Sequence, residues 1–191
     1  MTGTTTPKTV FYTATTLDGF IADPSDSLDW LFVQDIDENG PMNYNSFIAG
    51  VGALVMGATT YEWIRGRVDE GREKWSYSMP TTVMTHRDLP AVEGADLRFA
   101  SGDVTAVHAG LVAAAGGRDV WVVGGGDLAG QFADAGLLDE IVAAIAPVTL
   151  GAGRPLFPRR HALRLVDLAR NGAFACARYA VLGPRTTDWS G

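Results

Sequence analysis

Val120-Trp121-Val122-Val123-Gly124-Gly125-Gly126 decides how this chain is read. Three β-branched residues and a tryptophan fit a pleated, buried strand. The glycines end that strand in a turn, and Ala129 to Ala135 beyond them predicts a short helix. Working outward, the same sequence of apolar run, stop and helix recurs. Lys8 to Thr16 reads as a buried first strand, and Leu17-Asp18-Gly19-Phe20-Ile21-Ala22 leads from it into a polar loop through Asp26. A helix is expected over about Asn43 to Ala49, then an all-apolar strand, Ala53 to Met56, stopped by Gly57. Thr59 with Glu62 three places on has the spacing of a helix cap. Another strand, Thr81 to Thr85, ends at His86-Arg87-Asp88-Leu89-Pro90.

The second half repeats the alternation. Val104 to Ala115 predicts an amphipathic helix ended by Gly116-Gly117, and Glu140 to Pro147 a further strand. Leu163 to Arg170 and Ala173 to Leu182 flank Asn171-Gly172, a hairpin signal because both residues tolerate positive φ. Strands alternating with helices, closed by a hairpin, predict an α/β fold. Its central sheet is mixed and mainly parallel, with helices on both faces and a C-terminal antiparallel hairpin. Residues 8–182 read as a single domain, with 1–7 and 183–191 as flexible ends.

The chain has 191 residues, of which 47% are hydrophobic and 19% charged, which excludes general disorder. One domain of this length buries roughly 70% of its unfolded surface and needs neither disulfides nor a metal. A net charge of −7 argues against nucleic acid as a partner. The single cysteine, Cys176, cannot form an internal disulfide, and no Cys/His grouping has zinc-site spacing. No export signal and no membrane-length apolar stretch is visible, so the chain reads as cytoplasmic, with no membrane partner.

Three strand ends carry candidate anion-binding chemistry. Gly124, Gly125 and Gly126 would present bare backbone N–H groups and the positive end of a helix dipole. Gly125 and Gly130 have Walker A spacing, but Gln131 and Phe132 stand where Lys and Ser/Thr are required. Gly124, Gly126 and Ala129 match a Rossmann fingerprint that lacks the acidic residue closing its second strand. A tight turn needing positive φ would account for the glycines equally well. Gly57 with Thr59 and Thr60 repeats the strand–glycine–helix pattern, against the plainer reading of a helix cap. Thr85, His86 and Arg87 could hold a phosphate or form an exposed loop. Asp18 is a candidate buried carboxylate in a turn that could shape a lid over a flat ring, against an ordinary Asp-Gly turn. Trp30, Trp63, Trp75 and Trp121 read as core or groove packing. No G-x-S-x-G elbow or Ser-His-Asp arrangement is present.

Taken in order, Thr15 to Ala22, Val55-Met56-Gly57-Ala58-Thr59-Thr60-Tyr61-Glu62, Val83 to Arg87, Val122 to Gly126, and Leu138 through Pro155-Leu156-Phe157-Pro158 resemble the dihydrofolate-reductase-like fold. They are more closely similar to the RibD C-terminal domain family of riboflavin-pathway reductases, in its stand-alone form without a deaminase domain. The resemblance implies a reductase that uses NADPH, with NADH as an alternative cofactor, to transfer a hydride to a small pyrimidine- or pteridine-like heterocycle or a carbonyl compound. It implies that Gly57, Thr59, Thr60 and the turn Gly124, Gly125 and Gly126 hold the pyrophosphate. Thr85, His86 and Arg87 would take the adenosine 2′-phosphate, and Ala14 and Ile21 would flank the nicotinamide. Asp18 is the acid best placed by motif, and no metal is implied.

Two departures stand out. Ala58 occupies the position where the family usually carries an arginine that grips the 2′-phosphate, and Asp127 puts negative charge beside the glycine turn. Members of the family are often homodimers, which the apolar late strands would permit. Two other readings compete with the reductase. One is a non-catalytic dinucleotide- or nucleotide-binding domain; the other is a homodimeric scaffold whose glycines serve turns alone.

Overall fold

The computed structural model describes residues 6–184. In chain order the elements are β1 (Thr9–Thr16), β2 (Phe20–Ala22), α1 (Asp29–Phe32), α2 (Tyr44–Ala49), β3 (Val51–Gly57) and α3 (Ala58–Asp69). Then follow β4 (Thr81–Met84), β5 (Leu97–Ala100), α4 (Val104–Ala115), β6 (Asp119–Gly124) and α5 (Gly126–Asp134). The chain closes with β7 (Glu140–Ala146), β8 (Arg154–Pro155), β9 (His161–Asn171) and β10 (Phe174–Pro184). Eight strands form one sheet in the order β5-β4-β3-β6-β1-β7-β10-β9. Neighbours from β5 to β7 are parallel; β10 and β9 join antiparallel. This is the mixed, mainly parallel sheet that the alternation predicts.

The sheet is covered on both faces. Leu111 of α4 and Phe132 of α5 pack on Phe11, Val55, Val122 and Ile141. On the opposite face Phe47 and Ile48 of α2 meet Leu54 and Trp121, while Tyr61 of α3 meets Met56 and Val83. A central parallel strand must be apolar on both sides. Accordingly, Val51 to Met56 are buried without a break. Asp103 caps α4 by accepting from the Thr105 amide at 2.8 Å, and Gly116 ends it in the left-handed conformation.

Several expectations shift. Thr59 is not the cap of α3. The helix starts one residue after β3 ends, with Gly57 at the cap and no capping side chain, so Thr59 and Thr60 fall inside the first turn. Helix α5 begins within the glycine triplet rather than at Ala129, because Gly125 at φ 94° turns the chain sharply enough to start it at once. The hairpin turn is Gly172-Ala173, since Asn171 pairs with Phe174 and only Gly172 takes positive φ. Asn171 is instead buried, accepting from the Asp37 amide at 2.9 Å and donating to the Asp37 and Pro41 carbonyls, both at 3.1 Å.

Of the ends expected to be flexible, residues 1–5 and 185–191 lie outside the described residues. Gly183 and Pro184 do not hang free: they pair with Ala162 and His161. The short elements α1, β2, β5 and β8 carry too few residues to show a period, and the sequence reading passes over them.

Candidate active site

Adjacent parallel strands bring their C-terminal ends to one rim. Met56 of β3 stands opposite Gly124 of β6 and Gly57 opposite Met84 of β4, while β1, in register with β6 at Phe11 and Val122, runs on past this rim to Thr16. A cavity of about 410 Å³ opens on this rim. Its floor is Thr13, Val123 and the glycine turn, and its walls are Ile21, Leu28, Trp63 and Pro155. At this edge of an open α/β sheet the strand-to-helix loops leave a crevice.

The glycines are shaped by three different demands. Gly125 sits at φ 94°. A Cβ on Gly126 would lie 2.3 Å from the carbonyl oxygens of both Pro155 and Leu156, and one on Gly124 would lie 2.7 Å from Thr60 Oγ1. The turn is therefore wedged between the start of α3 and the segment around β8. That segment is a strap. β8 pairs with β2, and the Leu156 amide donates to the Gly19 carbonyl at 2.8 Å. No side chain caps either α3 or α5, so the positive ends of two neighbouring helices converge on the glycine turn.

Of the residues singled out in the sequence, Ile21, Thr59, Thr60, Gly124, Gly125 and Gly126 line this one cavity. Gly57 lies just behind them at the cap of α3. Ala14 does not line it; it packs with Trp30 and Ala144, while its neighbour Thr13 reaches the cavity. Thr85, His86 and Arg87 lie beyond β3 on the same rim, outside the cavity. There Thr85 Oγ1 accepts from the Arg87 amide at 2.9 Å. The Arg87 guanidinium is already engaged, donating to both oxygens of Glu62 at 2.8 and 2.6 Å.

Asp18 is not the buried carboxylate expected from its motif. It is exposed, and it accepts from the Thr16 hydroxyl and from the amides of Leu150 and Gly151, at 3.0 and 2.7 Å. Those donors, the Thr16 hydroxyl foremost, hold its carboxyl below the usual carboxylate range. It ties the end of β1 to the loop after β7 and stays ionised, which is the wrong state for donating a proton.

Two sets of ion pairs have no counterpart in the sequence reading. Arg154 on the strap holds Asp26 through two hydrogen bonds, at 2.6 and 2.9 Å, and both residues line the cavity. Arg159 donates to Asp127 at 2.6 Å and to Asp134 at 2.9 Å, so the negative charge beside the glycine turn is paired. Hydrogen bonds from Gln131 and then Arg159 lower the Asp127 pKa, and the hydrogen bond from Arg154 lowers that of Asp26. Trp63, read as core or groove packing, takes the second role: it lines the cavity, with the Arg67 guanidinium 4.9 Å from its ring. Only Pro155-Leu156-Phe157-Pro158 signals the strap in the sequence; the pairs join residues too distant along the chain to be read together.

Among the described residues no helix is long and apolar enough to cross a membrane, and no cluster of His, Cys, Asp and Glu could hold a metal.

Comparison with known proteins gives this geometry a family context. Residues 65–179 match the model of the RibD C-terminal domain. The uncharacterized protein YwjB of Bacillus subtilis (strain 168) is 29% identical over 158 residues, covering 78% of this chain and 82% of its own. Among solved structures, a putative riboflavin biosynthesis protein from Shewanella sp. PV-4 superposes with a TM-score of 0.76 at 25% identity, covering 91% of this chain and 98% of the other. Dihydrofolate reductase from Enterococcus faecalis, solved with NADP(H), shares the fold at a TM-score of 0.55 and 16% identity, covering 92% and 96%.

Proposed function

Because the chain belongs to the RibD C-terminal domain family, we propose that it is a reductase of the pyrimidine-reductase type, dependent on a reduced nicotinamide dinucleotide. NADPH is the cofactor first expected, and a small flat heterocycle or carbonyl compound is the substrate. One observation carries the reading: two uncapped helix N-termini converge on a glycine turn at the edge of an apolar cavity. The fit is supported by the turn itself, where side chains are excluded at Gly124 and Gly126 and backbone lies bare.

In this reading Thr59, Thr60 and the Gly124–Gly126 turn hold the pyrophosphate through backbone N–H groups and hydroxyls. When bound, the dinucleotide supplies the hydride. The protein's part is orientation. Ile21, Val123 and Trp63 exclude water and hold a flat ring against Thr13 of β1. The strap, fixed by β2 and by the hold of Arg159 on Asp127 and Asp134 of α5, keeps the turn and the segment at β2 in register. Thr85, His86 and Arg87 stand where an adenosine passing β3 on the side away from the cavity would arrive. To grip a 2′-phosphate, Arg87 would leave Glu62.

Titration calorimetry with NADPH and with NADH tests the proposal: at least one binds, and failure of both removes it. A second reading, a binding domain without catalysis, is favoured by one feature. Both carboxylates that line the cavity, Asp26 and Asp127, are ionised and paired with arginines, which leaves no neutral acid there. Oxidation of bound NADPH by any member of a panel of pyrimidines, pteridines and small carbonyl compounds decides for the reductase.

A further inference from the structure

Among the described residues, Arg154 is the one arginine or lysine that lines the cavity, and its partner is built to hold it. The guanidinium donates from Nε to Asp26 Oδ1 at 2.6 Å and from Nη2 to Asp26 Oδ2 at 2.9 Å, a fork that uses both carboxylate oxygens. Backbone fixes both ends of the pair. Asp26 takes the left-handed conformation at φ 63°, uncommon away from glycine. It sits in a turn where Asp23 Oδ1 accepts from the amides of Ser25 and Ser27, each at 2.8 Å. Arg154 stands opposite Ala22 of β2. Its neighbour Gly153 is pressed so closely on that strand that a Cβ would run into the Ala22 carbonyl oxygen.

This lock decides what charge a second ligand can bring. A phosphate monoester carries close to two negative charges at neutral pH. To reach Arg154 it would have to displace Asp26, and the short carboxylate, carried on a fixed turn, would stay ionised in the same cavity. Arg87 differs: its partner Glu62 is a longer, exposed side chain outside the cavity and can swing into solvent. The glycine turn offers backbone N–H groups, which the dinucleotide takes.

Beside Trp63 the structure presents rings rather than free charge. Phe32 of α1, exposed, lies nearly parallel to Trp63, with ring centroids 6.4 Å apart and planes 11° apart. The Arg67 guanidinium covers both rings, at 5.2 and 4.9 Å from their centroids. It also donates to Glu73 Oε1 at 2.8 Å, so this cation too is engaged.

We propose that the molecule reduced in this cavity is an uncharged, unphosphorylated heterocycle, and that the Asp26–Arg154 pair determines this specificity by rejecting the phosphorylated counterpart. The word substrate rests on the reductase reading; the selection against phosphate belongs to the pair alone.

Titration calorimetry with uridine 5′-monophosphate, and with uridine as the control for the ring, tests the proposal without any dinucleotide present. Three proteins of unchanged circular dichroism are compared: wild type, Asp26→Asn and Asp26→Asn/Arg154→Gln. Asparagine tolerates the left-handed conformation, so Asp26→Asn keeps the turn; Asp26→Gly, which also does, replaces it should it fail to fold. Asp26→Asn frees a charge-assisted contact and should bind the nucleotide about tenfold or more tightly than wild type does. The gain should vanish at high salt and in Asp26→Asn/Arg154→Gln, which should match the wild type. An Asp26→Asn protein that binds the nucleotide no more tightly than wild type overturns the proposal. So does a wild type that binds it tenfold or more tightly than Asp26→Asn/Arg154→Gln, because Arg154 would then be taking the phosphate. Failure of NADPH to bind removes the reductase reading and leaves this comparison intact. Where NADPH binds, its faster oxidation by the phosphorylated member of a matched pair of heterocycles also overturns the proposal.

Discussion

Gly126→Ala isolates the contact on which the cavity depends. A methyl there would lie 2.3 Å from the carbonyl oxygens of Pro155 and Leu156, backbone atoms held on one side by β2 and on the other by Arg159. An ordinary carbon–oxygen contact needs about 1 Å more, so either the strap lifts or α5 shifts. Overpacking of this kind costs roughly 1–3 kcal/mol and more where backbone must move, so a loss of about 3 kcal/mol is expected. Gly66→Ala is the counterpart. Nothing lies within 4 Å of a Cβ there, and the residue is interior to α3, so alanine is expected to stabilise by roughly 0.5–1 kcal/mol. Urea unfolding of the two variants and the wild type gives both numbers, and titration with NADPH shows whether displacing the strap disturbs the cavity. Gly126→Ala within ~0.5 kcal/mol of wild type, with dinucleotide affinity unchanged, would refute the claim that strap and glycine turn are packed as one unit.

Asn171→Ala removes the three hydrogen bonds that hold the Asp37–Pro41 loop and leaves three part-buried backbone groups without their partner; a loss of about 2 kcal/mol by urea unfolding is expected. Asp18→Asn should change turnover less than about tenfold, because the ionised carboxylate is a tether and not a proton donor; a pH–rate profile that loses a limb in this variant would say otherwise. Arg87→Ala should weaken NADPH by about tenfold or more, the worth of a charge-assisted phosphate contact, and leave NADH unchanged; equal effects on the two in titration would remove Arg87 from the 2′-phosphate reading. The lowered pKa values of Asp26, Asp127 and Asp134, caused first by hydrogen bonds from Arg154, Gln131 and His161, stabilise the folded state above the ordinary value of 3.8. That contribution is lost as pH falls through the lowered folded values, so thermal melting should drop below about pH 3.8, and a melting temperature flat down to pH 2 would contradict it.

How much of this was legible in the chain follows from the range of each interaction. The strands, the helices of three turns, the hairpin and the glycine turn rest on neighbours a few residues apart, so periodicity, β-branching and glycine position suffice to find them. Asn-Gly located the hairpin to within a residue; it took the Asp35–Pro41 loop, pressed against it, to draw Asn171 into the core and move the turn to Gly172-Ala173. Asp18 shows the limit of a motif. Its neighbours in sequence suggest a buried acid, but its partners, Leu150 and Gly151, come from the loop after β7 and hold it ionised at the surface.

The amino-acid sequence by itself determined the alternation of buried strands and helices, and with it the rim on which Gly57 and Gly124 to Gly126 end their strands, because burial and backbone freedom are local properties of residue type. Only the tertiary structure decided which charges remain free there. Arg87 is taken by Glu62, Arg154 by Asp26 and Asp127 by Arg159. Each of these pairs joins residues 25 or more positions apart. A Coulomb partner is set by distance in space, which the sheet order creates and no spacing along the chain records.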